Sequence, residues 1–287
     1  MKKIITNIVI ALGLSLAGLS LAWQTLATEL DPRQKISELA LSSERSSEHI
    51  ARNQYRHPAD TLYFFGLEPT MSVLEVWPGR GWYTEILAPY LKEKGQFTIA
   101  QFRHDDGTLK DERAKFWARL SATLSERILE KESSFGTVHQ VELDPPYFQP
   151  ALAKEQFDMV LSFRNAHIWD ESGHLSATLQ TLYDLIKPGG VLGLVEHRAA
   201  RFSDTTSVAV EGYLDEAYVV AAAEQVGFQL VSRSEINANL LDSKDHPKGV
   251  YTLPPTLALG NYNRDMYLAI GESDRMTLKF IKPAEQP

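Results

Sequence analysis

The chain has 287 residues, is 44% hydrophobic and 23% charged, and carries a formal net charge of −8 with no cysteine. This is globular composition with enough apolar material for one sizeable core. The acidic balance, with no Lys/Arg-rich run, argues against a nucleic-acid partner, and the missing cysteines exclude disulfides, a lipid-anchored lipoprotein and cysteine-ligated metals.

Lys2 and Lys3 precede an apolar run over 4–21, followed by small residues. Ser20-Leu21-Ala22 and Thr25-Leu26-Ala27 each offer a small-x-Ala cleavage site, so residues 1–27 are expected to be a signal peptide cut near 22 or 27. An uncleaved amino-terminal anchor is the alternative. The expected location is the periplasm. No second apolar segment of spanning length follows, so the mature chain, 28–287, is expected to have no membrane span.

Residues 31–50 read as polar helix with sparse apolar contacts at Ile36, Leu39, Ala40 and Ile50. Residues 58–65 read as a second lead-in helix running into Gly66. Tyr55, Arg56 and His57 either fold over a cleft as part of a lid or only open the helix at Pro58, since proline suits a first turn. Strand and helix then alternate: strand 73–77, helix 82–91, strand 96–102, and helix 111–130 with Phe116, Leu120, Leu124 and Ile128 at i+4 steps. Strands 137–143 and 157–163, helix 172–186, strand 191–196, helix 215–226, strand 228–236 and a closing strand 276–281 complete the series. Such alternation argues for a parallel-dominated sheet with helices on both faces. The stretch 237–263, with Pro247, Pro254 and Pro255, has the length of a functional lid or a disordered segment. Glu272, Ser273, Asp274 and Arg275 fall in the turn before the closing strand, whose apolar residues read as core. No repeat or composition shift marks a second domain.

The most informative stretch is VLEVWPGRGWYTEIL, residues 73–87. Val73, Leu74, Val76 and Trp77 form an apolar run of strand length with Glu75 near its end, and Gly79 and Gly81 permit backbone approach that a Cβ would block. Strand, glycine turn and helix opening make a ligand cradle at the carboxyl edge of a parallel sheet, although glycines also serve there only to turn the chain. Ligands in open α/β sheets sit beyond the carboxyl ends of strands, so chemistry is sought just after them. Arg164, Asn165, His167, Trp169 and Asp170 follow one strand; Glu196, His197 and Arg198 close another. His167 and His197 are candidate catalytic bases, and Arg164 and Arg198 are candidates to hold an anionic substrate. Tyr213, Asp215 and Glu216 either face the same cleft, with Tyr213 on the substrate, or cap the next helix. His167, Asp170, His174, Glu196 and His197 offer a rival metal site, but their spacing is not that of a metalloprotease helix, and no metal is expected.

The segments YRHPADTLYFFGL, EVWPGRGWYTEILAPYL, FRNAHIWD, LIKPGGVLGLVEHR, GYLDEAYV, KGVYTLPPTLALG and GESDRMTLKF occur in that order. Over nearly all of its mature length the chain thus resembles the class I S-adenosylmethionine-dependent methyltransferases, and among them a family of predicted exported methyltransferases. The resemblance implies a Rossmann-like α/β fold, a mostly parallel seven-stranded sheet, S-adenosylmethionine as cofactor and a small-molecule acceptor. Glu75, Gly79 and Gly81 match the acid and two glycines of the cofactor loop, with Pro78 between them and Trp77 where the family carries a glycine. Trp77 then either packs outside the pocket or fills it. Gln101 falls where the family has an acid for the ribose hydroxyls, and lacks that acid's charge-assisted geometry. Asp144 matches the residue facing the adenine amino group, and Asn165 completes the cofactor set. Methyl transfer is an in-line displacement that relies on positioning, with a base needed only when the acceptor atom carries a proton. The departures at Trp77 and Gln101 leave an alternative: an exported protein that keeps the fold but has a degenerate cofactor site, and binds another ligand or does other chemistry. Self-association is left open.

Overall fold

The computed structural model describes residues 31–200 and 211–284; the expected signal peptide, 1–27, lies outside the described residues. Four short helices lead in: α1 (Pro32–Ala40), α2 (Ser47–Ala51), α3 (Asn53–Arg56) and α4 (Pro58–Phe65). Pro58 occupies the first turn of α4, and Gly66 ends that helix with φ +82°, a left-handed angle suited to glycine. The alternating part runs β1 (Ser72–Val76), α5 (Thr84–Leu91), β2 (Gln96–Gln101), α6 (Glu112–Glu130), α7 (Glu132–Phe135), β3 (Val138–Asp144), β4 (Tyr147–Gln149) and β5 (Phe157–Phe163). It continues through α8 (Ala166–Glu171), α9 (Leu175–Leu185), β6 (Ile186–His197), α10 (Glu216–Gln225), β7 (Gln229–Ser234), α11 (Arg264–Ile270) and β8 (Arg275–Ile281). Asp111 and Asp215 cap α6 and α10 by accepting the backbone N–H groups of Ala114 and Tyr218.

The sheet has eight strands in the order β4-β3-β2-β1-β5-β6-β8-β7, which corrects the expected seven. The added strand is β4: Pro145 and Pro146 turn the chain back, and Tyr147–Gln149 pairs antiparallel with the end of β3. Proline lacks the N–H needed to continue a ladder, so a Pro-Pro pair ends β3. β8 lies antiparallel between β6 and β7, so the sheet is mixed around a parallel centre.

Central strands are buried on both faces, which explains their near-continuous apolar runs. Successive side chains alternate: Val73 packs with Ile36, Leu62, Phe65 and Ile86 on the α1/α4/α5 face, while Leu74 packs with Leu179, Leu182 and Val219 on the α9/α10 face. Fully burying an aliphatic chain contributes about 1.5–3 kcal/mol, and these two layers hold the strand ends that carry the site. No helix among the described residues is long and apolar enough to cross a membrane.

Candidate functional site

The loop after β1 carries three left-handed residues, Trp77 at φ +45°, Gly79 at +58° and Gly81 at +71°. A Cβ on Gly79 would meet nothing within 4 Å, so bare backbone faces open space there. A Cβ on Gly81 would come 2.5 Å from Leu124 Cδ1, so this glycine serves the packing of α6 on the loop. Glu75 is 2% exposed and accepts a 2.7 Å hydrogen bond from Thr84 Oγ1. Burial pushes its carboxyl up to about 8, which leaves it largely protonated at neutral pH.

Trp77 holds the conformation of the glycine it replaces, and its indole crosses the carboxyl edge of the sheet. Nε1 donates to the carbonyl of Leu143 at 3.1 Å, and the ring lies 4.6 Å from Phe102 and 5.9 Å from Trp117. The indole therefore reaches from the end of β1 over the end of β2 to β3, and with Phe102 and Trp117 it lines two cavities. The smaller, about 380 Å³, is lined by Trp77, Phe102, Trp117, Leu143 and Asp144. The larger, about 670 Å³, is lined by Glu75, Pro78, Gly79, Arg164, Asn165, His167 and His197, and again by Trp77.

Gln101 does not reach either cavity, which corrects the expected ribose contact. Its amide donates to Ser125 Oγ at 2.8 Å and Gln140 Oε1 at 2.6 Å, on the α6 face of β2. Strand alternation is the reason: Gln101 takes the α6 face, and the next residue, Phe102, takes the edge. Asp144 lies 4.0 Å from Arg103 and is well exposed.

In the larger cavity Glu196 organises both histidines. Its carboxylate, 0% exposed, accepts the backbone N–H groups of His167 (3.1 Å) and His197 (2.8 Å) and bonds His167 Nδ1 at 2.9 Å. Against an acceptor-only carboxylate, Nδ1 carries the proton and Nε2 keeps its lone pair. His197 Nδ1 bonds Ser273 Oγ, and the two imidazoles stand 5.2 Å apart. Burial, with the neighbouring His167 and the charges of Arg164, Arg275 and Arg56, holds His197 well below the ordinary imidazole range. Asn165 donates to the carbonyl of Val76 at 2.8 Å, tying β5 to the start of the glycine loop.

Donor atoms of His167, Glu196 and His197 lie within 4.8 Å of one another. Glu196 already accepts three hydrogen bonds, and Arg164, Arg275 and Arg56 place positive charge near His197, both of which weigh against a cation. Asp170 accepts from Tyr218 Oη at 2.6 Å, and His174 lines the smaller cavity, so the wider metal set is not assembled.

Two expected substrate contacts stand outside the cavity lining. Arg198 is held by Asp274, Glu235 and Glu216, because the turn before β8, the end of β7 and the first turn of α10 bring these acids to it. Tyr213 Oη donates to Asp242 at 2.9 Å and anchors the 237–263 segment. Asp242 also binds His246 and the backbone N–H of Asp274. The anchored segment covers the larger cavity with Val250, Tyr251, Pro254 and Pro255.

Sequence reasoning missed Arg52, Glu272 and Ser273, all on the cavity wall, and left Arg56 open. Glu272 accepts from Arg52 Nε at 2.7 Å, Arg56 Nε at 3.0 Å and Arg275 Nη1 at 3.1 Å. Burial alone would raise its carboxyl, but Arg56, Arg275, Arg164 and Arg52 hold it well below the usual range. Two signals were present: arginines four apart at 52 and 56, and four successive polar residues before an apolar strand.

The chain matches no family model and no curated protein. Among solved structures it is similar to an S-adenosylmethionine-dependent methyltransferase from Aquifex aeolicus, with 19% identity over 73% of this chain and 94% of that one and a TM-score of 0.51. It is also similar to the CurJ carbon methyltransferase, at 13% identity over 89% of this chain and 62% of that one, TM-score 0.50. The cyclase SpnF matches at 15% identity over 81% and 84% of the two chains, TM-score 0.50. The chain has the α/β Rossmann-like fold of S-adenosylmethionine-dependent methyltransferases; at these identities the likeness is one of fold.

Proposed function

We propose that the chain is an exported S-adenosylmethionine-dependent methyltransferase acting on a small-molecule acceptor. One observation carries this reading: an oriented base, His167 on Glu196, shares a cavity with the open backbone of Gly79. The cradle that a Cβ on Gly79 would fill suits close approach of the cofactor, with Glu75, Pro78 and Asn165 around it. The aromatic slot with Asp144 suits an adenine. When bound, the cofactor supplies an electrophilic methyl group. His167 Nε2 takes the proton released by the acceptor atom, and Glu196 stabilises the imidazolium that forms. Tyr251, Pro254 and Pro255 exclude water from above. Export rests on Lys2, Lys3 and the apolar run 4–21, and amino-terminal sequencing of the mature protein checks it.

Calorimetric titration with S-adenosylmethionine and its demethylated product tests the reading: saturable binding supports it, and no heat from a folded sample contradicts it. A second reading is favoured by Trp77 and Gln101. There the indole occupies the cofactor path, the ribose has no acid, and the larger cavity takes a different ligand. The two readings diverge on Trp77→Gly, which lowers cofactor affinity if the indole is a wall of the site and raises it if the indole is an obstruction.

A further inference from the structure

The wall of the larger cavity formed by α3, the end of β5 and the turn before β8 carries an excess of positive charge. Arg52, Arg56 and Arg164 line it, and Arg275 lies behind. Among the described residues the carboxylate that pairs with them is Glu272, and Asp274 is turned to Arg198 and Lys244. The nearby Glu75 carboxyl offsets nothing, because it is held protonated. Glu196 is turned to the histidines.

The donors are also incomplete. Arg56 is 2% exposed, and its Nη2 has no hydrogen-bond partner among the described residues; Arg52 Nη2 is likewise buried and unpartnered. Arg164 makes no side-chain hydrogen bond or ion pair among the described residues. Arg164 is half-buried, and desolvation together with the neighbouring Arg56 lowers the proton affinity of its guanidinium. Buried guanidinium nitrogens left without acceptors are unfavourable, and the planar forks of these side chains match the paired oxygens of carboxylates and phosphates.

We propose that Arg52, Arg56 and Arg164 form a binding site for a dianionic headgroup, phosphoryl or dicarboxylate, on the small molecule that this cleft accepts. A monoanion leaves guanidinium charge unmatched; a dianion matches it and fills the open donors. At about 670 Å³ the cavity falls within the ~300–1,000 Å³ typical of small-molecule sites, so the headgroup takes one end and the organic part extends toward His167 and His197. As a statement about the methyl acceptor this rests on the methyltransferase reading; as a statement about binding it does not.

The test is calorimetric titration of the full chain with inorganic phosphate, malonate and acetate at constant ionic strength, which removes the general stabilising effect of phosphate. Phosphate or malonate is expected to bind at least about tenfold more tightly than acetate. Arg164→Met should weaken that binding by about tenfold, the effect of one charge-assisted hydrogen bond, without lowering the melting temperature of the free protein. Arg52→Gln, at a more accessible position, should weaken it too and serves if Arg164→Met fails to fold. Equal binding of acetate, absence of heat with all three anions, or affinity unchanged in both variants overturns the proposal. So does displacement of phosphate by S-adenosylmethionine, which would make the arginines a subsite for the cofactor's carboxylate. Anion binding by a protein that ignores S-adenosylmethionine would uphold this site while removing the methyltransferase reading.

Discussion

The two cavities share one indole at one sheet edge, yet they differ in kind. The smaller cavity shares its aromatic walls, Trp77, Phe102 and Trp117, with the larger, and its charged Asp144 and Arg103 are well exposed. On the β5/β6/β8 side two acids are buried and held by neighbours: Glu196 by two backbone N–H groups, Glu272 by three guanidiniums. The smaller cavity suits a flat apolar group, and the larger suits charge and proton transfer. Glu75 and Glu272 show what separates such environments. They are 2% and 3% exposed, but Glu75 meets only a hydroxyl and is pushed up to about 8, whereas Glu272 is held well below the usual range by arginines. Partners decide which buried acid keeps its charge.

The largest effect expected is at Glu272. Glu272→Gln leaves clustered guanidiniums without their counter-charge and should destabilise the fold by about 3–5 kcal/mol in urea unfolding. A loss below about 1 kcal/mol would mean that the arginines do not depend on it. His167→Ala should reduce methyl transfer by roughly 10²–10⁴-fold while leaving cofactor affinity unchanged. Equal losses in rate and affinity would place His167 among the binding groups instead. Trp77→Gly removes a wall that both cavities share. Losing the indole should lower stability by about 2–4 kcal/mol, because removal of a large buried aromatic is partly offset by glycine's ease at positive φ.

Glu75 gives a smaller effect with a defined sign. Its folded pKa of about 8 lies above its ordinary value of 4.5, so the folded state binds this proton more tightly than the unfolded state. The resulting stability is full below about pH 4.5 and is lost as the pH rises through about 8, by at most about 1.4 kcal/mol per pH unit. Glu75→Gln should remove that decline, so unfolding curves of the two proteins between about pH 5 and 8 should diverge at the alkaline end. The smallest stability effect is at exposed Asp144: Asp144→Ala should stay within about 0.5 kcal/mol of the parent yet abolish measurable cofactor binding if the aromatic slot holds the adenine.

The strand-loop-helix at 73–91 was legible because a short apolar run, two glycines and a helical pattern are local signals. Pro58 and Gly66 marked both ends of α4 for the same reason. β4 was not legible, since three residues after a Pro-Pro turn carry no periodicity. Nor was α8, a six-residue helix in which Ala166, His167 and Trp169 are buried. The arginine wall escaped for a different reason: Arg52 and Glu272 are 220 residues apart, and only the fold joins them. Arg164 and Arg198 looked alike in sequence, both following strands. What separates them is that acids from distant elements pair with Arg198, whereas among the described residues none forms an ion pair with the Arg164 side chain. Gln101 was misread by one step of strand parity.

The most direct test of the central claim is the thermal stability of the purified protein with and without saturating S-adenosylmethionine. A ligand bound only by the native state raises the melting temperature in a dose-dependent way, and the account predicts such a rise in the parent and its loss in Asp144→Ala. A folded parent whose melting temperature does not move with S-adenosylmethionine or its demethylated product would contradict the methyltransferase reading and leave Trp77 as the residue that closed the cofactor path.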